Sequence, residues 1–214
     1  KNMYTCISGE TGCPVANKYQ IGSAVSQTAY ISHHTAMEYY GVCDQVYYDV
    51  YVSSETPFKE FEFDGYTYCY VASKCKLGIE NVHYSGGVRI TDKERTTLDS
   101  IKDMDKISGI EEVLANIDGF TSLNEEKLTG YLQEYHNQFL YQKTGFILYP
   151  YRDKLGLSHS FFEMCQYKTG KSKRYLTKEF TNGTYIKEWK LVVPDEIYKL
   201  KNGAFQDDRM DLCQ

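Results

Sequence analysis

The stretch "FKEFEFDGYTYCYVAS" constrains the fold more than any other part of the chain. Phe58, Phe61 and Phe63 stand on one side of Asp64-Gly65, and Tyr66, Tyr68 and Tyr70 alternate with other residues on the far side. Asp-Gly favours the positive-φ turn that joins antiparallel strands, so a hairpin is predicted here. Upstream, "VYYDVYVSS" from Val46 to Ser54 is rich in β-branched and aromatic residues and reads as a strand. Downstream, "GGVRI" reads as another. Near the C-terminus, "SKRYLTKEF" and "TYIKEWKLVVP" read as two strands separated by Asn182-Gly183, a second hairpin signal.

Between these strand regions the apolar period changes. In "NKYQIGSAV", Ile21, Ala24 and Val25 share one helical face and Asn17 is a candidate N-cap. Three capping boxes then follow in succession: Thr91-x-x-Glu94, Ser108-x-x-Glu111 and Ser122-x-x-Glu125. Each precedes an apolar face, so a helical subdomain is expected. "QFLYQKTGFIL" also has helical spacing through Phe139, Lys143 and Phe146, although Gly145 weakens it. Strands, then helices, then strands predict an α+β fold with mixed or antiparallel sheets flanking a central helical subdomain. A single domain over 1–214 is expected, with possible subdivision near 91 and 137.

The chain's 214 residues are enough for one sizeable core or two small ones. No apolar run approaches the roughly 20 residues of a membrane helix, and a signal-peptide pattern is missing, so a cytoplasmic protein without membrane contact is expected. Seven cysteines at irregular spacing, with no C-x-x-C pair, suit free thiols better than a zinc or redox motif. The net charge of −5 conceals a polarity: residues 91–135 carry 5 Lys/Arg against 11 Asp/Glu, whereas residues 143–190 carry 10 against 4. The basic segment is a candidate surface for an acidic partner or for phosphates. Within it, Lys143, Lys171, Lys173 and Arg174 are the candidate contact residues, together with Arg95 from "ERTTLD".

Motifs with catalytic potential are incomplete. In "AYISHHTAMEYYG", His34 and Glu38 lie at i and i+4, within reach of one ion, but no spacing identifies a further ligand. Ser32 reads instead as an N-cap. Gly22-Ser23 resembles the turn of nucleotidyltransferases, yet "YYDVYV" offers Asp49 followed two residues on by Tyr51, one carboxylate where two are needed. Glu188-Trp189-Lys190 is an E-x-K on a predicted strand, which a metal-dependent nuclease would pair with Asp153 or Glu163. Adjacent Ser158-His159 does not amount to a nucleophile and its base. No catalytic residue, metal or cofactor is expected.

Several phrases taken together resemble the AbiEi-type antitoxin and transcriptional-regulator family of abortive-infection systems. They are "ANKYQIGSAVSQTAYISHHTAMEYYG", "VYVSS", "FEFDGYTYCYV", "GVRITDKERTTLDSI", "EEKLTGYLQEY" and "SKRYLTKEF", in order, over residues 4–195. The resemblance implies a non-enzymatic C-terminal antitoxin domain that opposes a GTP-using nucleotidyltransferase toxin in a type IV toxin-antitoxin system, without a stable complex. It also implies promoter DNA binding through an N-terminal winged helix-turn-helix, expected upstream of "NMYTCISGETG" and outside these residues. Self-association is a further expectation.

Overall fold

A computed structural model of the protein describes residues 3–43, 45–73, 75–83, 86–105, 109–178 and 181–200. The chain divides into two compact units, residues 1–96 and 97–214, within the helix α3 (Lys93–Asp103). That division falls close to the boundary expected near 91. Residue 137 lies inside the second unit.

The first unit is built on a mixed six-stranded sheet. Its strands are β1 (Tyr30–Ile31), β2 (Asp49–Ser54), β3 (Phe61–Phe63), β4 (Tyr66–Ala72), β5 (Ile79–Val82) and β6 (Val88–Thr91), in the order β3-β4-β2-β1-β6-β5. The Asp-Gly hairpin is present. Asp64 and Gly65 have φ of 51° and 77°, the pair of positive values a type I′ turn requires, and Phe61 faces Tyr68 while Phe63 faces Tyr66. The returning strand β4 then lies parallel to β2, and β1 joins β2 antiparallel to β6 parallel. Ile21, Ala29, Ile31, Ala36, Val50, Val52, Tyr68, Val88 and Ile90 form the buried core.

Helix α1 (Lys18–Ala24) closes over that core. Asn17 caps it as predicted: its side chain accepts from Gln20 N, and Gln20 Oε1 accepts from Asn17 N, a reciprocal box. Gly22 faces the sheet, where an added Cβ would stand 2.7 Å from Ile31 Cδ1 and 3.0 Å from Val52 Cγ2. The Gly22-Ser23 pair therefore serves close helix-to-sheet packing rather than a phosphate turn.

Two of the three expected caps shift. Thr91 ends β6, and Asp92 instead caps α3 by accepting from Arg95 N at 2.8 Å. Ser122 is replaced by Asn124, whose side chain accepts from Lys127 N and starts α5 (Glu125–Tyr135). Glu125 is thereby free to accept from both the N–H and the hydroxyl of Ser158, at 2.7 and 2.8 Å. Ser108 lies outside the described residues, and α4 (Gly109–Asp118) follows it. In each observed shift, an Asp carboxylate or Asn carboxamide one or two residues on reaches the orphan N–H groups.

The second unit centres on α6 (Gln138–Leu148), in which every residue from Leu140 to Leu148 is buried. Around it come α7 (Arg152–Leu155), α8 (His159–Lys168) and a three-stranded sheet β7-β9-β8, formed by β7 (Arg174–Tyr175), β8 (Gly183–Ile186) and β9 (Leu191–Pro194). The second hairpin exists but turns elsewhere. Gly183 opens β8, which pairs antiparallel with β9 through a turn at Lys187–Lys190, while β7 joins β9 in parallel. The fold is α+β with a mixed sheet.

Candidate functional site

The histidine pair of the first unit is buried, and among the described residues only one of the two His34 ring nitrogens has a hydrogen-bond partner. Ser32 sits extended before α2 (His33–Tyr39), but its hydroxyl makes no cap bond; it meets His33 Nδ1 at 2.8 Å and Ser53 Oγ at 2.7 Å. His33 carries a φ of 55°, an uncommon value for a side-chain-bearing residue, and the buried hydroxyl pair helps fix it there. His34 donates from Nε2 to the Asp49 carbonyl at 3.2 Å, a carbonyl having no proton to give. Its ring lies between those of Tyr47 and Tyr51, with centroids 4.4 and 4.7 Å away. Glu38, the proposed co-ligand, accepts from Lys18 at 2.6 Å instead. Among the described residues no group of three His, Cys, Asp or Glu could hold a metal.

Burial pushes the His34 imidazolium down to about 4, against the smaller opposing effect of its carbonyl bond. The unfolded chain therefore binds a proton that the folded chain refuses between about 4 and the ordinary histidine value of 6.5. Stability from this group is complete above pH 6.5 and is lost as pH falls towards 4, by about 3 kcal/mol in all. Urea unfolding at a series of pH values should show that slope in the wild type. In His34→Gln the slope should be smaller by that amount; an unchanged slope would rule out His34 as its source.

Arg95, expected as a contact residue, is fully buried. Its Nη1 donates to Leu77 O at 2.7 Å and to Cys75 O at 3.4 Å and lies 2.8 Å from Cys75 Sγ. Its Nη2 reaches Tyr30 Oη at 3.4 Å and Ser73 Oγ at 3.2 Å. A guanidinium enclosed by its own chain is a structural cation, not a surface for a partner. Helical period alone places Arg95 next to polar neighbours and gives no sign of this enclosure.

The basic residues of the second unit separate into two groups. Lys171, Lys173 and Arg174 are exposed on the approach to and start of β7. Lys173 Nζ lies 5.8 Å from the Tyr175 ring and 5.3 Å from that of Tyr185, and both rings are themselves about half exposed. Arg174 stands 5.8 Å from the Phe139 ring. Cations over aromatic faces at the surface form a strip able to meet phosphates or carboxylates.

Lys143 is different: it is only 4% exposed and lines a cavity of about 170 Å³ at the start of α6. Lys102, Asp103, Asp105, Asn137 and Lys178 share that lining. The Lys143 ammonium is 3.8 Å from Asp105 Oδ2 and 4.9 Å from the Phe139 ring, while Lys102 is engaged by Asp103. Burial pushes the Lys143 ammonium below the ordinary lysine range, opposed by Asp105 and Asp103 and reinforced by Lys102 and Lys178. Lys143 was readable from its helical spacing with Phe139; Lys102, Asp105 and Lys178 come from distant stretches without a shared motif.

The remaining catalytic motifs do not assemble. Glu188-Trp189-Lys190 occupies the turn between β8 and β9 rather than a strand, with Glu188 exposed and Lys190 donating to Gly170 O at 3.2 Å. Lys190 adopts φ 50°, which bends the chain back and sets Glu188 apart from a strand face. Glu163 pairs with His159 at 3.6 Å on its own helix. Ser158 caps α8, so its hydroxyl serves Phe161 N and Glu125 rather than His159. Among the described residues, Cys6, Cys13, Cys43, Cys69, Cys75 and Cys165 form no disulfide.

No family model and no curated protein matches this sequence. Among the described residues no helix is long and apolar enough to cross a membrane. A solved structure, the crystal structure of the RV2827C protein from Mycobacterium tuberculosis, is similar with a TM-score of 0.63 at 12% identity, over 92% of this chain and 73% of that one. At that identity the likeness is one of fold alone, and it places this chain in the same α+β architecture.

Proposed function

We propose that the chain is a non-enzymatic antitoxin domain of the AbiEi type, which counteracts a nucleotidyltransferase toxin in abortive-infection defence against phage. The observation that carries this reading is where the resembling phrases fall. "ANKYQIGSAVSQTAYISHHTAMEYYG" spans α1, β1 and α2, "FEFDGYTYCYV" the hairpin, "GVRITDKERTTLDSI" β6 and most of α3, and "EEKLTGYLQEY" is α5 from end to end. These phrases run through buried polar positions, Ser32, His33, His34, Thr35, Arg95 and Thr96. A buried polar side chain is retained only with matching partners, so such a set is more specific than a shared apolar pattern.

In this reading Lys171, Lys173 and Arg174, with the exposed rings of Tyr175 and Tyr185, form the contact surface. Promoter binding belongs to the winged helix-turn-helix of the longer regulator. Co-expression with the cognate nucleotidyltransferase is the test. The wild-type chain, or the full-length regulator containing it, should restore growth, and Lys171→Glu, Lys173→Glu and Arg174→Glu combined should lower rescue at least tenfold at equal protein level. Failure of both wild-type forms to rescue would refute the assignment.

A further inference from the structure

Among the described residues of the second unit, one buried ammonium has no hydrogen-bonding partner, and burying it is costly. Lys143 has three N–H donors; its nearest carboxylate oxygen, on Asp105, is 3.8 Å away, beyond hydrogen-bond reach, and among the described residues it makes no hydrogen bond. A cation this buried costs several kcal/mol unless something compensates it. Asp105 and the Phe139 ring offset part of that cost through charge alone, which leaves the three N–H donors for a ligand.

We propose that the cavity at the start of α6 is a binding site for a singly charged phosphate group, held by Lys143, Lys178 and the Asn137 amide. Charge sets the first part of this assignment. Lys102 is neutralised by Asp103, and Lys143 and Lys178 together face the single carboxylate of Asp105, which leaves room for one negative charge. Donor geometry sets the second. Asn137 Oδ1 is committed to Phe139 N and Leu140 N, at 3.0 and 3.3 Å, so the part of its side chain left for a ligand is the Nδ2 group with two donors. The partial positive charge at the N-terminus of this 11-residue helix adds to both. Donors arriving from a lysine in the helix, an asparagine at its head and a lysine from a separate segment suit tetrahedral oxygens better than the two coplanar oxygens of a carboxylate. The volume of about 170 Å³ equals the share of about five or six liquid waters, enough for the anion and part of its hydration.

The site stands independently of the antitoxin reading, and purified chain without any toxin tests it. Calorimetric titration at constant ionic strength would use inorganic phosphate, a dinucleoside monophosphate as a phosphodiester, and acetate. Wild-type protein should bind one of the two phosphate probes at one equivalent, and acetate at least tenfold more weakly. Tighter binding of the diester would identify the source as a nucleic-acid backbone, and tighter binding of inorganic phosphate a free or monoester group. Lys143→Met should fold with equal or higher melting temperature and lose at least tenfold in affinity, Lys178→Gln should lose severalfold, and the surface variant Lys59→Gln, in the first unit, should bind as wild type. Absence of binding by both phosphate probes, equal binding of acetate, or an undiminished affinity in Lys143→Met would each overturn the assignment.

Discussion

Arg95→Ala should lower the unfolding free energy of the protein by about 4 kcal/mol, the typical loss when one partner of a buried charged network is removed. The guanidinium supplies donors to the carbonyls of Cys75 and Leu77, the Ser73 hydroxyl and the Tyr30 hydroxyl, all from one planar group. Truncation leaves those acceptors without their donor and opens a void where a fully buried side chain stood. Arg95→Lys keeps the charge but offers a point rather than a fork, so it should recover less than half of the loss. Urea unfolding followed by circular dichroism measures both. A change below about 1 kcal/mol in Arg95→Ala would show that the enclosure contributes little to stability.

Trp189 and Gly145 make the second large case, because each residue makes sense only through the other. Trp189 follows β8 in the hairpin turn, is 5% exposed, and lays its indole against α6 so closely that any Cβ at position 145 would overlap the ring. Gln142 on the same helix fixes the turn by donating to Trp189 O at 3.2 Å. Gly145→Val should cost about 3 kcal/mol through overpacking, and Trp189→Ala about 4 kcal/mol through the cavity it leaves. The double variant should cost clearly less than the two added together, since the valine then occupies space the indole vacated. Additive losses in thermal or denaturant unfolding would mean that the two side chains act on separate sites.

The same pair explains what sequence reasoning reached and where it stopped. A glycine in a helical pattern reads as a weakness because its partner lies 44 residues away, and no local rule connects them. Conversely, Asp64-Gly65 and Asn17 were readable because turn and cap chemistry involve only the next few residues. Capping boxes misplaced by a residue or two show the limit of that locality: Asp92 and Asn124 compete with Thr91 and Ser122 for the same N–H groups. For the contact residues, charge was visible and burial was not. Arg95 and Lys143 are as basic in sequence as Lys171 and Lys173, and only packing turns the first into an internal clamp and the second into the wall of a cavity.

The two-residue strand β1 has a consequence for how the first unit holds together. To one side of it lie β2, β3 and β4, paired among themselves within 24 residues of chain; to the other lie β5 and β6, paired within 13. Within the sheet, among the described residues, Tyr30 and Ile31 join these halves, through Ser53 and Val52 on one side and Ile90 on the other. The last of those pairings closes a loop of 59 residues, an entropic debt that a single short strand cannot offset by its own hydrogen bonds. The buried side chains of Ile31, Val52 and Ile90 must supply the difference by coming together at once. The seam thus makes the sheet an all-or-none body, because the core draws its residues from both halves and is complete only when both are present.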